Sequence, residues 1–295
     1  MERRTDAFTA CHPAVNLLFF LGAIVCCALV LHPVYLAVCL FSAVACWVSL
    51  RGRKAWKSIG TLLLLGTFVA AINPLFNLNG TRVLFSVGSR PYTLEALLLG
   101  AALGAMVCAM LLWFLCWNAV MTEDKLTALL GRVIPSLSMV FIMVLRMIPA
   151  YRRKAQDISS ARQCVGLSGT SRREILQSGM TTLSALSGWA LESSVVTADS
   201  MRARGYGQAK RTNFRLYRMS GRDCIFLIVL GVLLCAMIAS IALGWTAITF
   251  TPVFHSTSVL GLRILGPCVY LLFFLFPTLI NLQEALLWHF LRLKI

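Results

Sequence analysis

Uncharged apolar runs of about 20 residues recur along this chain, the length a helix needs to cross the hydrocarbon of a bilayer. The first is 14–31 (AVNLLFFLGAIVCCALVL) and the second 33–50, parted by His32-Pro33, a pair that favours a turn. Residues 58–78 and 94–120 follow, and 224–244 and 264–288 come after a long polar interval. The pattern predicts six crossings. Residues 224–262 hold no Asp, Glu, Lys or Arg, and Gly244 and Pro252 mark where that helix should end. Residues 133–150 differ, because their uncharged core runs only from Val133 to Leu145 before Arg146 and Pro149 close it. That length suits a buried or re-entrant helix better than a span.

The polar interval, 121–222, predicts two long helices. One begins after Pro135, runs past Pro149 to about Val165 and meets a left-handed stop at Gly166. The other opens on Ser171-Arg172-Arg173-Glu174, a capping box in which each end residue satisfies the other's backbone N–H. Its helical pattern holds to Arg204, and Gly205 stops it. Residues 184–205 contain 12 Gly, Ala, Ser or Thr among 22. Ala190, Ser194 and Thr197 fall at i, i+4 and i+7 and share one stripe. Small residues let a second helix approach closely without a hydrophobic drive.

Both helices finish on Ala-Arg near a glycine: Ala161-Arg162-Gln163 before Gly166, and Ala203-Arg204-Gly205. Two readings fit. Cations favour helix C-termini by about 0.3–1 kcal/mol, so each Arg could simply cap its helix. Alternatively the two form a docking pair, planar forks of fixed charge aimed at carboxylates of another protein.

Charge sharpens the topology. The chain carries 27 Lys and Arg against 11 Asp and Glu over 295 residues, with 13% charged residues in all. A soluble domain has about 25%, so this composition is that of an integral membrane protein. With the N-terminus placed in the cytoplasm, 24 basic residues fall inside and only Arg82, Arg90 and Arg263 outside, as the positive-inside rule requires. Orientation and anionic lipid then account for the basic loops at 3–4 and 51–57 (RGRKAWK) without nucleic acid as a partner. The start, MERRTDAFTACHP, shows no small-residue cleavage site, so no removable leader is expected.

Candidate chemistry is sparse. Most of the eleven Cys lie in apolar runs, none forms C-x-x-C, and the four His are scattered, so Cys reads as a small hydrophobe and neither metal nor disulfide framework is expected. An intramembrane enzyme needs clustered carboxylates, His or a nucleophile–base pair. Glu95, Arg146 and Glu284 stand alone near span ends. A stand-alone permease that moves solute itself is the alternative, but it would carry polar groups or broken helices at mid-depth. Asn16 and Asn118 are the candidates for that role, and there is no internal repeat.

Several pieces in order resemble the transmembrane (T) component of energy-coupling factor (ECF) transporters, bacterial importers of vitamins and metal ions. They are NPLF at 73–76 with Gly80 after it, TLEALLLG at 93–100, LRMIPAY at 145–151 ahead of Ala161-Arg162-Gln163, and ALESSVVTADSMRARGYGQAKRT around Ala203-Arg204-Gly205. The resemblance implies an all-α polytopic protein of the bacterial plasma membrane, both termini cytoplasmic, with about six transmembrane helices. Four would lie in 1–120, a cytoplasmic coupling-helix domain in 121–222, and the remainder in 223–295. It implies a subunit that is not an enzyme and needs no cofactor. Such a subunit joins two cytoplasmic ABC-type ATPase subunits, met by the two Arg motifs, to a separate substrate-binding membrane subunit. Ala190, Ser194 and Thr197 would pack against that subunit, which carries a vitamin or metal ion. The N-terminal CHPAVNLL keeps a Pro but lacks the basic residue associated with that region of the family.

A cysteine introduced at residue 170 is expected to stay unlabelled when a membrane-impermeant thiol reagent is added outside intact cells. Labelling there would invert the topology.

Overall fold

A computed structural model describes residues 7–76, 83–87, 90–166, 171–208, 217, 219–246, 248–249, 255–256 and 264–293. In chain order its helices are α1 (Ala7–Ala10), α2 (Pro13–Leu29), α3 (Pro33–Arg51), α4 (Ala55–Phe76), α5 (Leu94–Val120), α6 (Glu123–Val133), α7 (Pro135–Cys164), α8 (Arg172–Ala203), α9 (Gly221–Ala242) and α10 (Leu265–Leu293). The fold is all-α, and among the described residues the strands form two antiparallel hairpins in the connections, β1 (Val83–Val87) with β2 (Arg90–Thr93), and β3 (Ile248–Thr249) with β4 (His255–Ser256). The chain divides into two compact units, one of Met1–Leu126 with Tyr217–Ile295 and one of Thr127–Leu216.

The helices of the larger unit begin where the sequence supplies caps. Pro13 and Pro33 open α2 and α3, where a missing N–H costs nothing. The His before each accepts the next free amide through Nδ1, His12 from Ala14 at 3.2 Å and His32 from Val34 at 3.3 Å. Two of the four scattered histidines are therefore helix caps. Thr93 caps α5, accepting from Ala96 at 3.4 Å. Ser220 and Asp223 form a capping box at α9, with Ser220 N–H donating to Asp223 Oδ2 at 3.0 Å.

Among the described residues four apolar helical runs are long enough to cross a membrane: Pro33–Phe76, Leu94–Val120, Gly221–Ala242 and Leu265–Glu284. Pro33–Phe76 has 44 residues. That is about 66 Å of helix, twice the ~30 Å hydrocarbon thickness. It is divided at Gly52 (φ +58°), which ends α3 and starts a 3₁₀ turn before α4. The 17-residue α2 is a shorter apolar helix. The segment 133–150 is no separate element, because Pro135–Cys164 is one continuous helix through Pro149. Of its apolar side chains, Leu137, Val140, Phe141, Val144 and Ile148 are exposed.

Within the larger unit α5 packs against α2, α3 and α4, α3 also against α10, and α9 against α2 and α10. Aromatic rings fill the centre. Phe19 stacks on Phe273 at 5.3 Å and meets Trp113 edge-on at 5.4 Å, while Trp113 lies 5.3 Å from Phe274. All four are fully buried. Such pairs add about 0.5–1.5 kcal/mol beyond burial. Cys26, Cys27, Cys39, Cys46, Cys108 and Cys116 are buried free thiols on these helices, as a small hydrophobe would be. Cys39 Sγ also accepts from Trp113 Nε1 at 3.3 Å.

The α4–α5 seam is the tightest. A Cβ on Gly104 would collide with the Gly66 carbonyl oxygen, and one on Gly66 with Cys108 Sγ. The backbones touch because neither glycine has a side chain, the contact that small residues permit between membrane helices. Gly104→Leu should destabilise the protein by roughly 1–3 kcal/mol, seen as an early thermal transition in detergent. Gly60→Ala on the same α4, where a Cβ meets nothing within 4 Å, should melt like the parent.

Candidate functional site

The smaller unit presents the two Arg motifs on α7 and α8. Tyr151 and Trp189 join the helices with their rings edge-to-face at 5.5 Å. Ser171 N–H donates to Glu174 Oε2 at 3.2 Å, forming the expected capping box at the start of α8. A helix of 32 residues is about 48 Å long. Arg162 lies in the last turn of α7, ahead of the connection that leads into α8, and Arg204 stands at the far end of α8. The two arginines thus close two different helices, α7 and α8.

The two ends are built alike and differ in one respect. Gly166 and Gly205 both adopt φ +77°, the left-handed region that favours glycine. Gly205 N–H donates to Arg202 O at 2.9 Å and Tyr206 N–H to Met201 O at 3.1 Å, the paired bonds of a glycine-terminated helix. Gly166 N–H donates likewise to Gln163 O at 3.0 Å. Arg204, however, is the C-cap, one residue past the last helical position, whereas Arg162 lies three residues before its cap, Val165. Arg204 is exposed with Ala203, while Ala161 and Gln163 are exposed around a half-buried Arg162. Arg162 Nε is shielded and meets no acceptor among the described residues. Gly205 is half-buried. The trailing Arg211 and Thr212 lie outside the described residues, as does Gly80.

On α8 the candidate packing stripe is uncovered: Ser194 and Thr197 are exposed and Ala190 is half-exposed. Their hydroxyls are nevertheless satisfied. Ser194 Oγ donates to Leu191 O and Thr197 Oγ1 to Ser193 O, both at 2.7 Å. Ser187, Thr181 and Thr182 bond back in the same way. A second helix could therefore lie on this face without stranding a polar group. Leu176, Met180, Leu183, Leu191 and Val195 are exposed on the same helix.

Sequence reading missed a polar knot in the larger unit. Lys125, only 4% exposed, donates from Nζ to Thr9 O at 2.6 Å and to Val120 O at 3.1 Å. Val120 is the last residue of α5, whose carbonyls lack helical partners. With its amide oxygen turned to Lys125, buried Asn16 accepts from Nζ at 3.0 Å and donates to Phe8 O at 3.0 Å. Three acceptors thus meet the three N–H bonds of one ammonium. Nearby, His12 N–H donates to Asp223 Oδ1 at 3.2 Å and Phe8 N–H to Asn281 Oδ1 at 3.1 Å. The segment 7–16 is fastened in this way to α6, α9 and α10. The family's expected basic residue is absent from CHPAVNLL, and Lys125 sets an ammonium against Asn16 from another helix. Among the described residues no three His, Cys, Asp or Glu gather as a metal site.

The family model described as CbiQ, cobalt transport protein, matches residues 9–214. No curated protein matches the chain.

Lys125→Met would leave three buried acceptors without a donor, at about 1–3 kcal/mol each. It should lower the melting temperature and expose the 7–16 segment to protease. Burial pulls the Lys125 ammonium from 10.5 down to about 8. Between those values the unfolded chain holds the proton more tightly, so stability rises with pH. The parent's advantage over Lys125→Met should therefore grow as pH climbs from about 8 toward 10.5, read by melting both proteins across that range. An advantage that shrinks would refute the assignment.

Proposed function

The chain belongs to the CbiQ family of cobalt transport proteins, and from that premise we propose that it is the transmembrane coupling subunit of an ATP-driven, ECF-type importer. That it is a multi-pass membrane component of a transporter follows from the family and from its apolar helices. The proposal is the finer role: two cytoplasmic ATPases engage the Arg162 and Arg204 ends, and a separate membrane subunit that binds a vitamin or metal ion packs on the small-residue face of α8. The chain itself hydrolyses nothing, and both its termini lie in the cytoplasm.

One observation carries this reading. Two similarly built glycine-closed helix ends, one on α7 and one on α8, each carry an Arg. Capping alone explains either Arg singly. It does not explain the exposed, apolar and small-residue surface of α8. Arg suits the task because its fork makes two parallel bonds to a carboxylate, fixing direction as well as contact. A stand-alone permease is less well supported. The buried Asn16, Lys125 and Asp223 lie within the first turns of α2, α6 and α9 and are engaged in structural bonds, while Ser42 and Ser240 bond to their own helices. A translocation path would want such groups free at mid-depth.

The test is substrate uptake measured together with ATPase co-purification. Arg204→Glu should abolish uptake, Arg162→Glu nearly so, and Arg204→Ala should be milder. Removing one partner of a desolvated charged pair costs about 2–5 kcal/mol, so the double Ala variant should lose the ATPases or uncouple hydrolysis from uptake. Arg202→Ala should be close to the parent. Ser194→Trp should release the substrate-binding subunit while retaining the ATPases. If the double Ala variant transports normally while Arg202→Ala does not, the coupling assignment fails and the two ends are only caps.

A further inference from the structure

We propose that the turn between α3 and α4 is a binding site for the phosphate headgroup of an anionic phospholipid. Arg51, Arg53, Lys54 and Lys57 fall within seven residues, and all four are exposed. No Asp or Glu occurs anywhere in residues 7–94, so no carboxylate on α2, α3, α4 or their connections neutralises them. None of the four makes an ion pair among the described residues. Such a cluster of bare cations sits at the junction of two apolar helices of 19 and 22 residues, α3 and α4.

The turn has a definite shape. Gly52 adopts φ +58° and donates its N–H to Val48 O, ending α3 and starting the 3₁₀ turn Gly52–Lys54 that leads into α4. That corner draws the charges together. Ala55, in its middle, is fully buried and pins the turn to the bundle, while its neighbour Trp56 is 64% exposed. An indole exposed beside cations at the end of a span is the arrangement that anchors at a membrane surface. Arg51 lies over the Trp47 ring, 5.3 Å from its centroid, which holds one guanidinium in place. The Nε1–H of Trp47, itself only 4% exposed, has no acceptor among the described residues, so one further donor at this turn is left over for a headgroup oxygen.

Orientation of the chain requires positive charge on this side but no particular lipid. The site requires more: saturable binding that depends on these residues and not on net charge. The experiment uses the full-length protein, purified in mild detergent, stripped of lipid and titrated with phosphatidylglycerol or phosphatidylcholine, with bound lipid counted by native mass spectrometry. The parent should bind phosphatidylglycerol saturably and phosphatidylcholine not at all. Arg53→Ala/Lys54→Ala/Lys57→Ala keeps Arg51 on Trp47 and should weaken binding by about tenfold or more, since each basic side chain near an anionic surface contributes on the order of fivefold. Arg172→Ala/Arg173→Ala/Arg202→Ala removes the same charge elsewhere and should bind like the parent. Trp56→Ala, which changes no charge and keeps the turn, should weaken binding severalfold, so the inference stays testable if the triple variant melts early. Parent-like affinity in both the turn variant and Trp56→Ala would overturn the site. Equal loss in the two triple variants would overturn it too, as would displacement of the lipid by inorganic phosphate at matched concentration.

Discussion

A packed interior offers no water to hydrogen-bond with, so every buried polar atom must find its partner inside the protein. Lys125 is where that requirement is most demanding. An ammonium has three N–H bonds, and this one is met by Thr9 O, Val120 O and the Asn16 amide oxygen. One charge thereby closes the end of α5 and holds the N-terminal segment against the bundle. Asp223 does comparable work at the start of α9: one carboxylate oxygen accepts from its own cap residue, the other from His12. Remove either group and several backbone atoms lose their partners together.

Around that polar end the bundle is held by shape. Association of helices in lipid draws on close contact more than on water exclusion. Gly66 and Gly104 let α4 and α5 touch backbone to backbone, and Cys108 uses the space beside them, its Sγ reaching Leu62 O at 2.9 Å. Rings of Phe19, Trp113, Phe273 and Phe274 occupy the wider gaps. Helices α7 and α8 are organised differently, with many apolar side chains exposed and the hydroxyls of α8 bonded to its own carbonyls.

Much of this was legible in the sequence because its signals are local. Apolar length marked the six bundle helices, and Pro13, Pro33 and Gly52 punctuate them where the chain turns. Ser171-x-x-Glu174, Gly166 and Gly205 announced the bounds of α7 and α8 within a few residues of their own positions. Ser220-x-x-Asp223 has the same form and could have been read the same way. Lys125 could not: it follows Glu123-Asp124 and looks like any solvated charge, while two of its acceptors are backbone oxygens, which carry no residue signature. The partner of a glycine such as Gly66 is hidden for a similar reason, since the sequence shows the missing side chain and not the helix that fills the space. The helix that begins at Pro135 and runs through Pro149 was legible as one element, but the exposure of its apolar first half was not, since the sequence does not show what packs on it.

The ties of the N-terminal segment have a consequence in time. Phe8 bonds to Asn281, 273 positions later, and His12 to Asp223, 211 positions later. A chain emerging from the ribosome at about 5–20 residues per second makes those partners many seconds after it makes Phe8. Helix α2 can enter the membrane early, but two ties of the segment ahead of it wait until α9 and α10 exist. The last helix therefore completes the first. A chain cut short before α10 would carry a loose leading end, a feature by which a membrane protease could tell unfinished copies from finished ones.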